Sequence, residues 1–158
     1  MKFSIKSLLV GVVLSIVTSA ALAAAPDPVI GSWKLNVAKS TFNPGPAPKS
    51  QTRTYAQTTA GIALTLKTTG ADGKESTSTM TFNADGKPYP ITGNPAFDTV
   101  SVTRVDALTV NSTQMKAGVP VGTGVRTVSK DGKTLTFTQK GTQPSGAKYE
   151  DVTLYDRQ

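Results

Sequence analysis

The chain has 158 residues, no cysteine and no histidine, and a formal charge of +7 to which Lys2 and Lys6 contribute. That excludes disulfide cross-links, lipid attachment through an N-terminal cysteine, thiol or imidazole catalysis, and the commonest zinc ligands. The basic residues, among them Lys34, Lys39, Lys49, Arg53, Lys67, Lys74 and Lys87, alternate with threonines or sit in turns. They are neither clustered nor interleaved with aromatics, so they read as a solvated surface and argue against a nucleic-acid partner.

Lys2 and Lys6 open the chain, an apolar run from Ser7 to Val17 follows, and small residues end at Ala23-Ala24-Ala25. This is the three-part pattern of a cleaved secretory signal. The apolar run is shorter than the about 20 residues that a membrane-spanning helix needs. Residues 1–23 are therefore read as a signal peptide and 24–158 as one domain, with cleavage after Ala23 or Ala24. The expected location is secreted or periplasmic, with no stable membrane insertion once the signal is removed. An uncleaved anchor is the alternative.

Beyond Pro26 and Pro28, Thr- and Val-rich runs alternate with Gly, Pro, Asn and Asp. Trp33, Leu35 and Val37 share one face of a first strand, and the Pro-rich stretch Asn43 to Ser50 can be neither helix nor central strand. Further strands are expected over 53–58, 62–69, 77–83, 98–105, 108–113, 124–130, 134–141 and 148–157, about nine in all. Asp72-Gly73, Asp85-Gly86 and Asp131-Gly132 mark hairpin turns, because glycine accepts positive φ without steric cost. No stretch keeps a 3.6-residue period, so crossover helices for a parallel sheet are absent. The expected fold is all-β: an antiparallel up-and-down meander of about eight to ten strands closed into a barrel, which removes the exposed edges. A two-sheet sandwich is the alternative.

Chemistry-bearing patterns are few. Ser145-Gly146-Ala147-Lys148 matches Ser-x-x-Lys by letters but lies in a turn, not at a helix start. Glu150 and Asp151 are adjacent on a strand and point to opposite faces. Asn111-Ser112-Thr113 fits a glycosylation acceptor yet falls on a strand. The Asp-Gly turns lack the further carboxylates of a calcium loop. Arg104 shares parity with Val100 and Val102, and Arg126 with Val128. Each either faces the interior, where a guanidinium fork could hold a carboxylate or phosphate, or snorkels outward from a strand end.

Gly31-Ser32-Trp33 at the first strand resembles the Gly-x-Trp opening of the calycins, the lipocalins and fatty-acid-binding proteins. The closing Val152-Thr153-Leu154-Tyr155-Asp156-Arg157 is similar to the last strand of the fatty-acid-binding proteins. The resemblance covers both ends of the chain. It implies a barrel around a small apolar ligand, with a carboxylate clamp of two arginines and a tyrosine. Tyr155 matches the tyrosine, Arg126 falls near one arginine, and Thr153 stands where the other belongs. The helix-turn-helix lid of those proteins is replaced here by the Pro-rich loop. The resemblance also implies that a basic residue of the last strand packs over the first-strand tryptophan, which gives Arg157 over Trp33; a frayed terminus is the alternative.

The function expected from these readings is a non-enzymatic, monomeric, lipocalin-like protein that binds a small hydrophobic and anionic ligand. Arg126, Tyr155 and Arg104 are its candidate ligand contacts, and no metal or cofactor is expected. The rival is a structural or interaction β-domain with a filled core, which residue size at the inward positions would distinguish.

Overall fold

The computed structural model describes residues 26–143 and 145–158; the signal-like segment and its cleavage sites lie outside them. Ten strands follow in order: β1 (Gly31–Leu35), β2 (Ser50–Thr58), β3 (Gly61–Thr69), β4 (Glu75–Phe82), β5 (Asp85–Thr92), β6 (Thr99–Arg104), β7 (Thr109–Lys116), β8 (Val119–Val128), β9 (Thr134–Thr142) and β10 (Lys148–Arg157). Each pairs antiparallel with its neighbours in sequence, and β1 pairs with β10 to close a barrel. The sandwich is excluded.

Alternation explains why these segments are strands. Along β2, Arg53 and Tyr55 are buried while Thr54 and Ala56 are exposed; along β4, Ser78, Met80 and Phe82 are buried between exposed threonines. The outward threonines are themselves paired across strands, as in Thr79–Thr92 at 2.8 Å and Ser32–Thr54 at 2.9 Å. Such pairs add a few tenths of a kcal/mol to about 1 kcal/mol each. Between β1 and β2, the sole helical element among the described residues is a 3-10 turn, Val37–Lys39. Val37 sits in that turn and is half exposed, so it does not extend the β1 face.

The strand missed in the sequence is β5. Its Pro88 and Pro90 carry no N–H and normally exclude a central strand. They are tolerated because β4 and β5 share only two partner pairs, Thr79↔Thr92 and Met80↔Ile91, and the prolines lie outside that short ladder. Asp85-Gly86 opens β5 rather than making the turn, which falls at Asn83-Ala84. The barrel is thus continuous but thinly stitched between β4 and β5.

One end is sealed. The leader before β1 turns so that Val29 is fully buried and its carbonyl accepts from Trp33 Nε1 at 2.8 Å. Trp33 is paired with Arg157 across β1 and β10, and the guanidinium carbon lies 4.1 Å from the indole centroid. The same guanidinium donates to the carbonyls of Gly132 (2.5 Å), Ile30 (2.8 Å) and Pro28 (2.6 Å). Gly31 makes room for it: its φ is +129°, and a Cβ there would lie 2.6 Å from Arg157 Nη1. Trp33, Leu35, Ile62, Phe82, Leu135 and Tyr155 are buried around this base. Burying the tryptophan alone is worth about 4–6 kcal/mol at about 25 cal/mol per Å².

Arg157→Ala removes a cation–π contact and leaves three carbonyls without their donor, so a loss of about 2–4 kcal/mol is expected. Urea denaturation followed by the fluorescence of Trp33 measures it; stability unchanged within about 0.5 kcal/mol would show that the base closes without the arginine.

Candidate functional site

Above the sealed base the strands enclose a cavity of about 290 Å³. Its wall is divided. Leu64, Leu66, Met80, Ile91 and Val100, from β3 to β6, make a mainly apolar side that also carries Thr68, Ser76 and Ser78; Gln51, Arg53, Ser112, Gln114, Arg126 and Gln139, from β2 and β7 to β9, make the more polar one. The volume lies at the lower edge of the about 300–1,000 Å³ of small-molecule sites. Phe97 and Pro95 of the β5–β6 loop close in over the opposite end.

Two guanidiniums dominate the polar side. Arg126 on β8 is 6% exposed and its guanidinium carbon lies 5.1 Å from the Tyr55 ring centroid. Arg53 on β2 is 9% exposed and sits between two rings, 4.6 Å from Phe137 and 5.0 Å from Tyr155. Among the described residues neither has a carboxylate within 4.0 Å. The Nε atoms of both lack hydrogen-bond partners, and so does Gln114 Oε1. Burial disfavours a charged Arg53, but the adjacent phenols of Tyr155 and Tyr55 outweigh it and hold the guanidinium protonated. Burial likewise pushes the Tyr55 phenol up, yet the charges of Arg53 and Arg126 bring it below the ordinary tyrosine value.

A glycine sets the position of Arg53. Gly124 on β8 faces inward, and a Cβ there would come within 2.6 Å of the Phe137 ring. Without that Cβ the ring has room beside β8, where the Arg53 guanidinium carbon lies 4.6 Å from its centroid. Thr153, on β10, donates to the Phe137 carbonyl at 2.9 Å and so braces the same strand.

The residues singled out in the sequence fall in three places. Arg126 lines the cavity. Tyr155 is fully buried behind Arg53 and donates to Gln51 Oε1, so it supports the cavity wall without forming it. Arg104 lies outside the cavity: its side chain is exposed at the sealed end and pairs with Asp27 of the leader. It is the last residue of its strand, and the carboxylate beside the leader holds it there. Trp33 and Arg157 make the base.

Sequence reasoning missed Arg53, which it left among the surface cations. The signal was its parity: Gln51, Arg53 and Tyr55 alternate on β2 with Thr52, Thr54 and Ala56. Arg53, on β2, is thus a second buried cation on the cavity wall beside Arg126.

No protein-family model matches the chain, and no curated protein sequence does. Among solved structures, a zebrafish ileal bile acid-binding protein, determined with cholic acid, is similar over 83% of this chain and 99% of its own, with a TM-score of 0.50 and 11% identity. The likeness is one of fold. A siderocalin, Ex-FABP, is similar over 83% of this chain and 74% of its own at 14% identity and a TM-score of 0.39.

Two buried cations without carboxylates are held at a cost to stability, because an uncompensated buried charge is expensive. Arg126→Met is expected to raise the stability of the ligand-free protein by about 1–2 kcal/mol, read from urea denaturation at neutral pH. A destabilised variant would mean that the guanidinium already has its compensation within the barrel.

Proposed function

We propose that the chain is a non-enzymatic binding protein of the periplasm or extracellular space, taking one small hydrophobic ligand that carries an anionic group. The observation that carries this reading is the pair Arg53 and Arg126: buried, facing one cavity, and without carboxylates within 4.0 Å among the described residues. A ligand carboxylate or other oxyanion supplies the missing partner, with charge-assisted hydrogen bonds that a guanidinium fork suits well. The apolar body then lies against Leu64, Leu66, Met80 and Ile91 on the other wall. Calycin architecture and the bile-acid-binding neighbour support the same reading, and the cavity weighs against a filled structural barrel.

The cavity wall carries no carboxylate among the described residues and the chain has no histidine or cysteine, so the hydroxyls of Tyr55, Ser78 and Ser112 on that wall have no carboxylate, imidazole or thiolate base beside them. Binding without turnover fits that inventory. The placement outside the cytoplasm rests on the Lys2–Ala25 pattern alone.

Two measurements test this. Displacement of an apolar fluorescent probe by a fatty acid and by its methyl ester compares anionic with neutral ligands. Arg126→Ala is expected to weaken the acid at least about tenfold, from the loss of about 1.5–3 kcal/mol of charged hydrogen bonding, and to change the ester less than about twofold. Equal losses for both ligands would remove the anion from the proposal. N-terminal sequencing of protein secreted from a bacterial host is expected to begin at Ala24 or Ala25; an intact Met1 in a membrane fraction would overturn the location.

A further inference from the structure

The cavity wall holds more positive charge than one carboxylate can neutralise. Arg53 and Arg126 both line the cavity and keep only 9% and 6% of their surface accessible. Among the described residues no carboxylate stands on that wall, and none lies within 4.0 Å of either guanidinium. A ligand with one negative charge meets one of these cations and leaves the other buried without a counter-charge. That is the costly arrangement, since desolvation of an ion is repaid only by an opposite charge close by.

The two cations also converge on one part of the wall. Arg126 on β8 pairs with Phe137 on β9, and the Arg53 guanidinium lies over that Phe137 ring, 4.6 Å from its centroid. Conversely, the Arg126 guanidinium lies 5.1 Å from the ring of Tyr55, two residues beyond Arg53 on the same buried face of β2. Each arginine thus stacks on the aromatic neighbour of the other. Tyr55 registers both charges: burial pushes its phenol up, but Arg53 and then Arg126 outweigh burial and bring it down. Convergence asks for two negative charges in one head group, not for two carboxylates at the ends of a long molecule. The cavity of about 290 Å³ has room for about ten water-sized groups, so the apolar body is short.

We infer that the ligand is a phosphomonoester: a doubly charged phosphate on a short apolar body, its oxygens shared between Arg53 and Arg126. The inference rests on the anionic reading of the cavity and adds to it the number of charges and the shape of the head group. A carboxylate offers two oxygens in one plane and a single charge. A phosphate monoester offers three acceptor oxygens in a pyramid and close to two charges near neutral pH. Guanidiniums arriving from different strands can then each hold a pair of oxygens, the bidentate geometry that arginine makes with phosphate. Besides the arginines, Tyr55 is the one titratable group on the wall among the described residues, and so the one internal source of a competing negative charge.

The test is isothermal titration calorimetry with hexyl phosphate, hexyl sulfate and hexanol, at about 0.15 M salt so that surface charges are largely screened. The sulfate has the shape of the phosphate but a single charge. At about pH 8 hexyl phosphate is expected to bind at least about tenfold more tightly than hexyl sulfate, and the sulfate more tightly than hexanol. Lowering the solution to about pH 5, below the second phosphate pKa of about 6, should remove most of that preference. The sulfate stays singly charged throughout and corrects for any titration of the protein. Arg53→Met and Arg126→Met should each remove most of the preference while the sulfate still binds more tightly than hexanol. Thermal melts identify a variant that fails to fold, and the other then serves. Equal affinity for phosphate and sulfate in the wild type, both above hexanol, would overturn the doubly charged ligand and keep the anionic reading; equal affinity for all three would overturn both. A phosphate preference that emerges only in Tyr55→Phe would assign the second negative charge to Tyr55 and overturn the proposal. A preference that survives at about pH 5, or in both arginine variants, would put the phosphate on the basic surface and overturn it as well.

Discussion

The barrel depends on a single closure, the guanidinium of Arg157 laid over the indole of Trp33. Ten strands that pair in sequence make a ribbon; only the β1–β10 ladder turns the ribbon into an enclosure, and that ladder is three residue pairs long. The arginine lengthens its reach by binding the carbonyls of Pro28 and Ile30 in the leader and of Gly132 in the β8–β9 turn. First strand, last strand, leader and a hairpin corner are thereby fixed to one flat cation. Desolvation by the indole strengthens each of these hydrogen bonds, since they act in a medium of low dielectric. A sealed base then lets the strands diverge above it and leave space.

What occupies that space follows from a division of labour around the wall. The β3–β6 side is mainly aliphatic, with Thr68, Ser76 and Ser78 among its lining residues. Opposite it, Gly124 lacks a side chain where the Phe137 ring, which Arg53 lies over, takes up its position. Aromatic faces on Phe137, Tyr155 and Tyr55 partly replace the water that the cations have lost. They cannot replace a counter-charge. The interior is in this sense not arranged for stability alone.

How much of this was legible in the sequence depended on whether a residue obeyed strand parity or broke it. Asp131-Gly132, the alternation of Leu135 and Phe137, and the terminal Trp33 and Arg157 each carried local signals that agreed with the fold. Arg126 could be placed because it continued the inward face of Val128. Arg53 obeyed the same rule beside Tyr55, but a cation amid threonines reads as surface, and only the tertiary packing of Phe137 from a distant strand makes its burial tolerable. Arg104 shows the opposite case: parity pointed it inward, and its position at the strand end, beside Asp27, took it out. The glycines of β8 were unreadable for a different reason. Their meaning lies in which side chain from β7, β9 or β10 fills the room they leave, and no local pattern records that.

The short ladder between β4 and β5 has a consequence for how the molecule coexists with its neighbours. A gap in a sheet is an invitation, because unpaired backbone can template a strand from another chain and begin aggregation. Here the stretch of β5 left without β4 partners contains Pro88 and Pro90, which have no N–H to offer an intruder. Prolines that made the strand hard to recognise also make it a poor template. The barrel can keep one loosely joined flank, and whatever breathing that permits, without presenting a sticky edge to the crowded solution around it.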